Sequence, residues 1–287
     1  MLVEGTDKSN DGSTRARPLT HPVPSADRRA VNKTLLVPAA VLAVLLVPLS
    51  APWSSAAPKP LPVGTDVDYQ LGGARSVPAH VGIVARDRHD QPVAGRYNIC
   101  YVNGFQTQVE ESGFWRQHWT LVLQQNGHPV VDEAWGEWLL DTRTAHKRSA
   151  IAELVGRWIS GCAHSGFDAV EFDNLDSFSR SHALLTAADN KALARLLVIK
   201  AHKAGLAAGQ KNWAEWDGRS VGYDFAIAEE CGRYQECGSY VAHYGRSVLD
   251  IEYRDVDLAA ACAGWADKIA IVRRDLDLSP TGVRRWC

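Results

Sequence analysis

Residues 166–176 read GFDAVEFDNLD, and this run decides how the rest of the chain is read. It is a short apolar stretch between Gly166 and the polar Asn174, with the length of a β-strand. Side chains alternate along a strand, so Glu171 and Asp173 share a face with Ala169, while Val170 and Phe172 point the other way, toward a helical layer. Two carboxylates adjacent on one inward face should titrate as a coupled pair.

Seven further runs of the same kind flank it: DYQLG (68–72), HVGIVARDR (80–88), YNICYVN (97–103), LAAGQKN (206–212), YDFAIAEE (223–230), SVLDIEY (247–253) and KIAIVRRD (268–275). Between some of them lie helical patterns. Arg148–Cys162 places Ile151, Leu154, Val155, Trp158 and Ile159 at helical spacing, and Asp189–Ala204 does so with Leu193, Leu196, Leu197 and Ile199 before Gly205. Strands alternating with helices imply parallel pairing through crossovers, and eight of them predict an α/β fold, a single compact (β/α)8 barrel. An open doubly wound sheet is the runner-up, but no Gly-rich phosphate loop follows the first strand. In such a barrel the C-terminal strand ends line the active site. Here those ends carry Asp87, Asn103, Asp173, Asn174, Lys211, Asn212, Glu229, Glu230 and Glu252, which are expected to converge on one pocket.

The first 57 residues differ from the rest. A polar segment precedes Arg28, Arg29 and Lys33, then the apolar run Thr34–Ser50, broken by Pro38 and Pro48, then small residues. This reads as a signal peptide, with a membrane anchor as the alternative. Residues 58–66 form a Pro-rich lead-in, and 67–287 the barrel. Lys plus Arg number 31 against 33 for Asp plus Glu, so nothing suggests a nucleic-acid partner. Without residues 1–57 the chain keeps 25 basic and 29 acidic side chains, a balance that favours a neutral or cationic ligand. The ten His are scattered, so neither metal nor cofactor is expected. Six Cys without a C-x-x-C pair fit disulfides in an oxidising compartment. Cys231 and Cys237 can bridge locally and Cys262 with Cys287 would pin the C-terminus. Cys100 and Cys162 remain as the third pair, with a reduced, buried Cys100 as the alternative.

Paired carboxylates without a histidine cluster suggest glycoside hydrolysis. In order, YQLGG, ARDR, ICYVNGFQTQ, WGEWLLD, GFDAVEFDNLD, AHKAGLAAGQKN, FAIAEECGRYQECGSY and IEY resemble the endo-α-1,4-polygalactosaminidase family, glycoside hydrolase family 114, over residues 66–287. The resemblance implies a secreted barrel glycosidase that acts on α-1,4-linked galactosamine polymers. It implies catalytic acids at Asp173 and Glu229. This chain has Trp213 where many members carry Thr, and Phe172 where many carry Pro. By analogy with other barrel α-glycosidases, Asp173 beside Asn174 and Lys211 suits a nucleophile. Glu229, near Phe225 and Ile227, should be partly desolvated and suits a proton donor. Asp87, Tyr101, Glu171, Asn174, Asp176, Lys211, Asn212 and Glu252 are candidates to contact the sugar. Of the tryptophans near loops (Trp115, Trp119, Trp135, Trp138, Trp213 and Trp216), Trp135 and Trp213 flank strand ends and are expected to stack on sugar rings. The expected partner is a cationic polysaccharide met by a monomer, with no membrane partner unless the leader is retained. The alternatives are a non-catalytic glycan-binding protein on the same barrel, and a phosphodiesterase-like barrel hydrolase, which would want metal ligands and a cationic pocket.

Overall fold

The eight expected runs all form strands, side by side in chain order. In the computed structural model, which describes residues 57–287, they are β1 (Asp66–Gln70), β2 (Val81–Asp87), β3 (Tyr97–Asn103), β4 (Ala169–Asp173), β5 (Ala207–Lys211), β6 (Phe225–Glu229), β7 (Val248–Glu252) and β8 (Ala270–Arg274). Every neighbouring pair from β1 to β8 is parallel. The expected leader lies outside the described residues except for Ala57, and among the described residues no helix is long and apolar enough to cross a membrane.

A ninth strand, absent from the sequence reading, closes the ring. β9 (Arg284–Trp286) runs antiparallel beside β8. From there Trp286 Nε1 donates to the Val67 carbonyl of β1 at 2.7 Å, and Arg284 reaches Asp68 and the Ser76 carbonyl. β8 and β1 share no ladder, so β9 and its side chains bridge the seam that backbone pairing leaves open.

The helical layer is less regular than strict alternation predicts. Its helices are α1 (Ser112–Gln117), α2 (Ala145–Ser165), α3 (Ala187–Lys203), α4 (Cys231–Tyr234), α5 (Cys237–Tyr244) and α6 (Asp255–Trp265). The β1–β2 and β2–β3 connections carry none, and only a 3-10 turn, Gly218–Val221, follows β5. The two helices read from periodicity are present. Thr144 caps α2 by accepting from Lys147 N, and Gly166 ends it at φ 93°. Thr186 and Asp189 form a capping box on α3. Ile199, expected on the buried stripe of α3, is 53% exposed; Leu193, Ala194, Leu197, Val198 and Ala201 form the stripe instead.

Strand alternation produces two cores. Tyr69, Ile83, Ala85, Ile99, Ala169, Ala207, Phe225, Ile227, Leu249 and Ile251 pack inside the barrel. Val102, Val170, Phe172, Ala208 and Ala226 pack outward against the helices. Burying a side chain the size of Phe172 contributes about 1.5–3 kcal/mol. Gly209 sits where a Cβ would come within 2.7 Å of Phe225 and Ile227, so the barrel interior has no room for a larger residue. The three expected disulfides are all present: Cys100–Cys162 ties β3 to α2, Cys231–Cys237 links α4 to α5, and Cys262–Cys287 ties α6 to the C-terminus.

Candidate active site

Odd-numbered positions face the interior along β3, β4, β5 and β6, so their last inward residues are Asn103, Asp173, Lys211 and Glu229. Lys211 is the hub. Its Nζ lies 3.0 Å from Glu171 Oε1, 3.2 Å from Asp173 Oδ1 and 3.4 Å from Glu229 Oε2, and donates to the Tyr69 hydroxyl at 3.1 Å. Its side chain is 2% exposed, Glu171 is fully buried beneath it, and Asp173 and Glu229 are 18% and 27% exposed. The layers therefore run from a buried Tyr69–Glu171–Lys211 floor to two carboxylates open to solvent.

The surroundings divide the acids. Burial pushes the Asp173 carboxyl up, but the Lys211 ammonium, the Tyr101 hydroxyl at 2.7 Å and the Asn174 amide at 2.8 Å outweigh it and hold Asp173 below its ordinary range. Burial pushes Glu171 up to about 7, with Lys211 opposing and Asp173 assisting. Burial lowers Lys211, but Asp173 and Glu229 more than compensate and hold it well above its usual value. Glu229 shares its inward strand face with Phe225 and Ile227. Those residues lie deeper in the barrel, and Glu229 is held by Lys211, Asn212 and the Tyr253 hydroxyl.

A cavity of about 510 Å³ opens above this layer. Of the residues expected at the site, Asp87, Tyr101, Trp135, Asp173, Asn174, Asp176, Lys211, Asn212 and Glu229 line it. Trp213 does not; it lines an adjoining cavity of about 520 Å³, which also includes Trp135, Glu229, Glu230 and Tyr234. Its ring packs on Phe178 and Trp216, with Lys191 over its face. Glu252 is also misplaced. Leu249 and Ile251 face inward, so Asp250 and Glu252 turn outward, where they accept from Cys231 N and Gly232 N at the start of α4. The inward residue there is Tyr253, one position further on, which lines the cavity.

Sequence reading missed four residues of this site. Tyr69 and Tyr253 sit in quoted strand runs, and inward parity would have found them. Glu137 and Arg180 come from connections whose course no pattern reveals. Glu137 lies on a two-stranded ribbon, Val131–Asp132 with Glu137–Trp138, in the long β3–β4 connection. Its Oε2 accepts from Asn103 at 2.9 Å and from Asn174 at 3.2 Å, and burial raises its carboxyl to about 7. Arg180 binds Asp132 and Asp176 and donates to Asn174. The cavity above Lys211 thus presents seven carboxylates (Asp87, Asp132, Glu137, Asp173, Asp176, Glu229 and Asp277) against Lys211 and Arg180. Such a wall attracts cations and offers two carboxylates that share one ammonium.

The sequence model of glycoside-hydrolase family GH114 matches residues 48–287. A comparison with curated protein sequences finds no match. Among solved structures, the chain is similar to Aspergillus fumigatus Ega3, crystallised in complex with galactosamine, at a TM-score of 0.64 and 22% identity over 83% of this chain and 98% of that one. It is also similar to the glycoside hydrolase domain of PelA from Pseudomonas aeruginosa, at a TM-score of 0.55 and 15% identity over 76% of this chain and 97% of that one.

Proposed function

The chain belongs to glycoside-hydrolase family GH114, and from that premise we propose that it is an exported, retaining endo-hydrolase of α-1,4-linked galactosamine polymers. Asp173 is the nucleophile and Glu229 the acid/base. The observation that carries this reading is the shared contact of Asp173 and Glu229 with Lys211 Nζ, at 3.2 and 3.4 Å. Two oxygens touching one nitrogen lie within about 7 Å of each other. That is compatible with the roughly 5–5.5 Å between the carboxyl groups of retaining enzymes and supports that reading.

The roles follow from the surroundings. Asp173 is held ionised and can attack the anomeric carbon. Glu229 is the more exposed and borders the adjoining cavity, which Asp173 does not line. A leaving sugar in that cavity would take its proton from Glu229, and the same carboxylate would then take a proton from the water that releases the glycosyl–enzyme ester. Tyr253 and Asn212 orient Glu229; Tyr101 and the Asn174 amide orient Asp173.

The excess of carboxylates supports a cationic substrate, and galactosamine, bound in the Ega3 structure, has that charge below neutral pH. Three disulfides support an oxidising destination. The test is to incubate the purified protein with fully de-N-acetylated α-1,4-galactosamine polymer and size the products. Short oligomers are expected. Unchanged polymer that nevertheless binds would favour the glycan-binding reading.

A further inference from the structure

Resting on that reading, we infer that Glu137 is the specificity residue that recognises the 2-ammonium group of the sugar whose anomeric carbon meets Asp173. Carbon 2 of a pyranose is bonded to the anomeric carbon, so its substituent is among the groups nearest the point of attack. Glu137 is tied to that point through one residue. Asn174 donates its backbone N–H to Asp173 Oδ1 at 2.8 Å and its side-chain amide to Glu137 Oε2 at 3.2 Å.

Asp277 is exposed on the β8–β9 connection, and among the better-buried cavity carboxylates the partners single Glu137 out. Asp87 accepts from His89 and Gln108 at its two oxygens. Asp132 accepts from the Ala134 amide and from Gln106 and Arg180. Asp176 is paired with Arg180, and Asp173 and Glu229 with Lys211. Glu137 has two neutral amides on Oε2, from Asn103 and Asn174, and among the described residues no protein donor meets Oε1. The charged groups that act on it most strongly are Asp173, Asp132 and Glu110, all acidic. A half-buried carboxylate beside the nucleophile, fixed at one oxygen and lacking a cation, is completed by a ligand ammonium. An N-acetyl group brings no charge to the same place.

Glu137→Gln tests this, because its amide oxygen can still accept from Asn103 and Asn174 while the charge is removed. The readout is the ratio of kcat/KM on galactosamine oligomers to kcat/KM on N-acetylgalactosamine oligomers of equal length. The ratio should fall about 10–100-fold in Glu137→Gln and survive in Glu137→Asp, which keeps the charge. An unchanged ratio in a folded Glu137→Gln protein overturns the inference. A fault in the broader reading would show separately, as no cleavage of either oligomer by the wild-type protein. Calorimetric titration with galactosamine and with galactose then decides the matter without turnover. The wild-type protein should bind galactosamine more tightly and Glu137→Gln should not; equal binding of both sugars by the wild-type protein overturns it.

Discussion

Asn212 grips Glu229 twice. Its side-chain oxygen accepts from the Glu229 backbone N–H at 2.8 Å, and its amide nitrogen donates to Glu229 Oε2 at 3.2 Å. Asn212 sits at φ 53°, in the left-handed region that glycine and asparagine tolerate. Asn212→Gly therefore keeps the backbone and removes only the clamp. Its kcat should fall about 10–100-fold through misplacement of Glu229, with little change in Tm. A wild-type kcat would show that the clamp is irrelevant to turnover.

Asp173→Asn and Glu229→Gln should each lose nearly all polymer hydrolysis, on the order of 4–8 kcal/mol in the barrier, while the polymer still binds. An aryl glycoside whose leaving group needs no proton separates their roles. Glu229→Gln should retain a burst of aryl release and Asp173→Asn should not. The reverse pattern would exchange the two assignments.

Lys211→Met leaves Glu171, Asp173 and Glu229 facing one another without their shared cation. Breaking a buried pair by removing one partner costs about 3–5 kcal/mol, so Tm should fall sharply. Adding Glu171→Gln should recover part of the loss, because it removes the most deeply buried charge. A double variant no more stable than the single one would place the cost elsewhere.

Glu171 carries a pH signature. Burial raises its carboxyl from 4.5 to about 7, so the folded protein binds a proton that the unfolded chain releases. The stability it contributes is complete below about 4.5 and is lost as pH rises to about 7, a change on the order of 3 kcal/mol. Asp173, held low, acts in the opposite sense: its contribution is present above its ordinary value and disappears as pH falls. Glu171→Gln should flatten the fall of the urea midpoint between pH 4.5 and 7. An unaltered slope would mean that other groups carry it.

The Cys262–Cys287 bridge, with a sequence separation of 25, holds the end of the strand that closes the seam. Replacing both cysteines with alanine should cost about 3 kcal/mol and deprotect the Val67 end of β1 in hydrogen exchange ahead of β4. Uniform deprotection would mean that β9 stays docked without the bridge.

The sequence by itself determined the eight strands, because period-two alternation between a barrel core and a helix-facing core is written residue by residue in runs such as AVEFD (169–173). It also determined which strands of β2 to β6 bring polar residues to the cavity, since an inward charged residue closing an apolar strand is costly unless it is used or paired. The same alternation, followed one residue further, points to Tyr253 and away from Glu252. What only the tertiary structure decided lies in groups distant along the chain. β9 is three residues long and forms its strand only because the β8–β1 seam offers partners at Val272 and Val67. Glu137 reaches Asn103 and Asn174 across 34 and 37 residues of chain, and the two-residue strand that carries it is too short for any period to show. Lys211 in isolation is an ordinary strand-end cation. Glu171, Asp173 and Glu229, brought from neighbouring strands to its one nitrogen, make it the centre of the site.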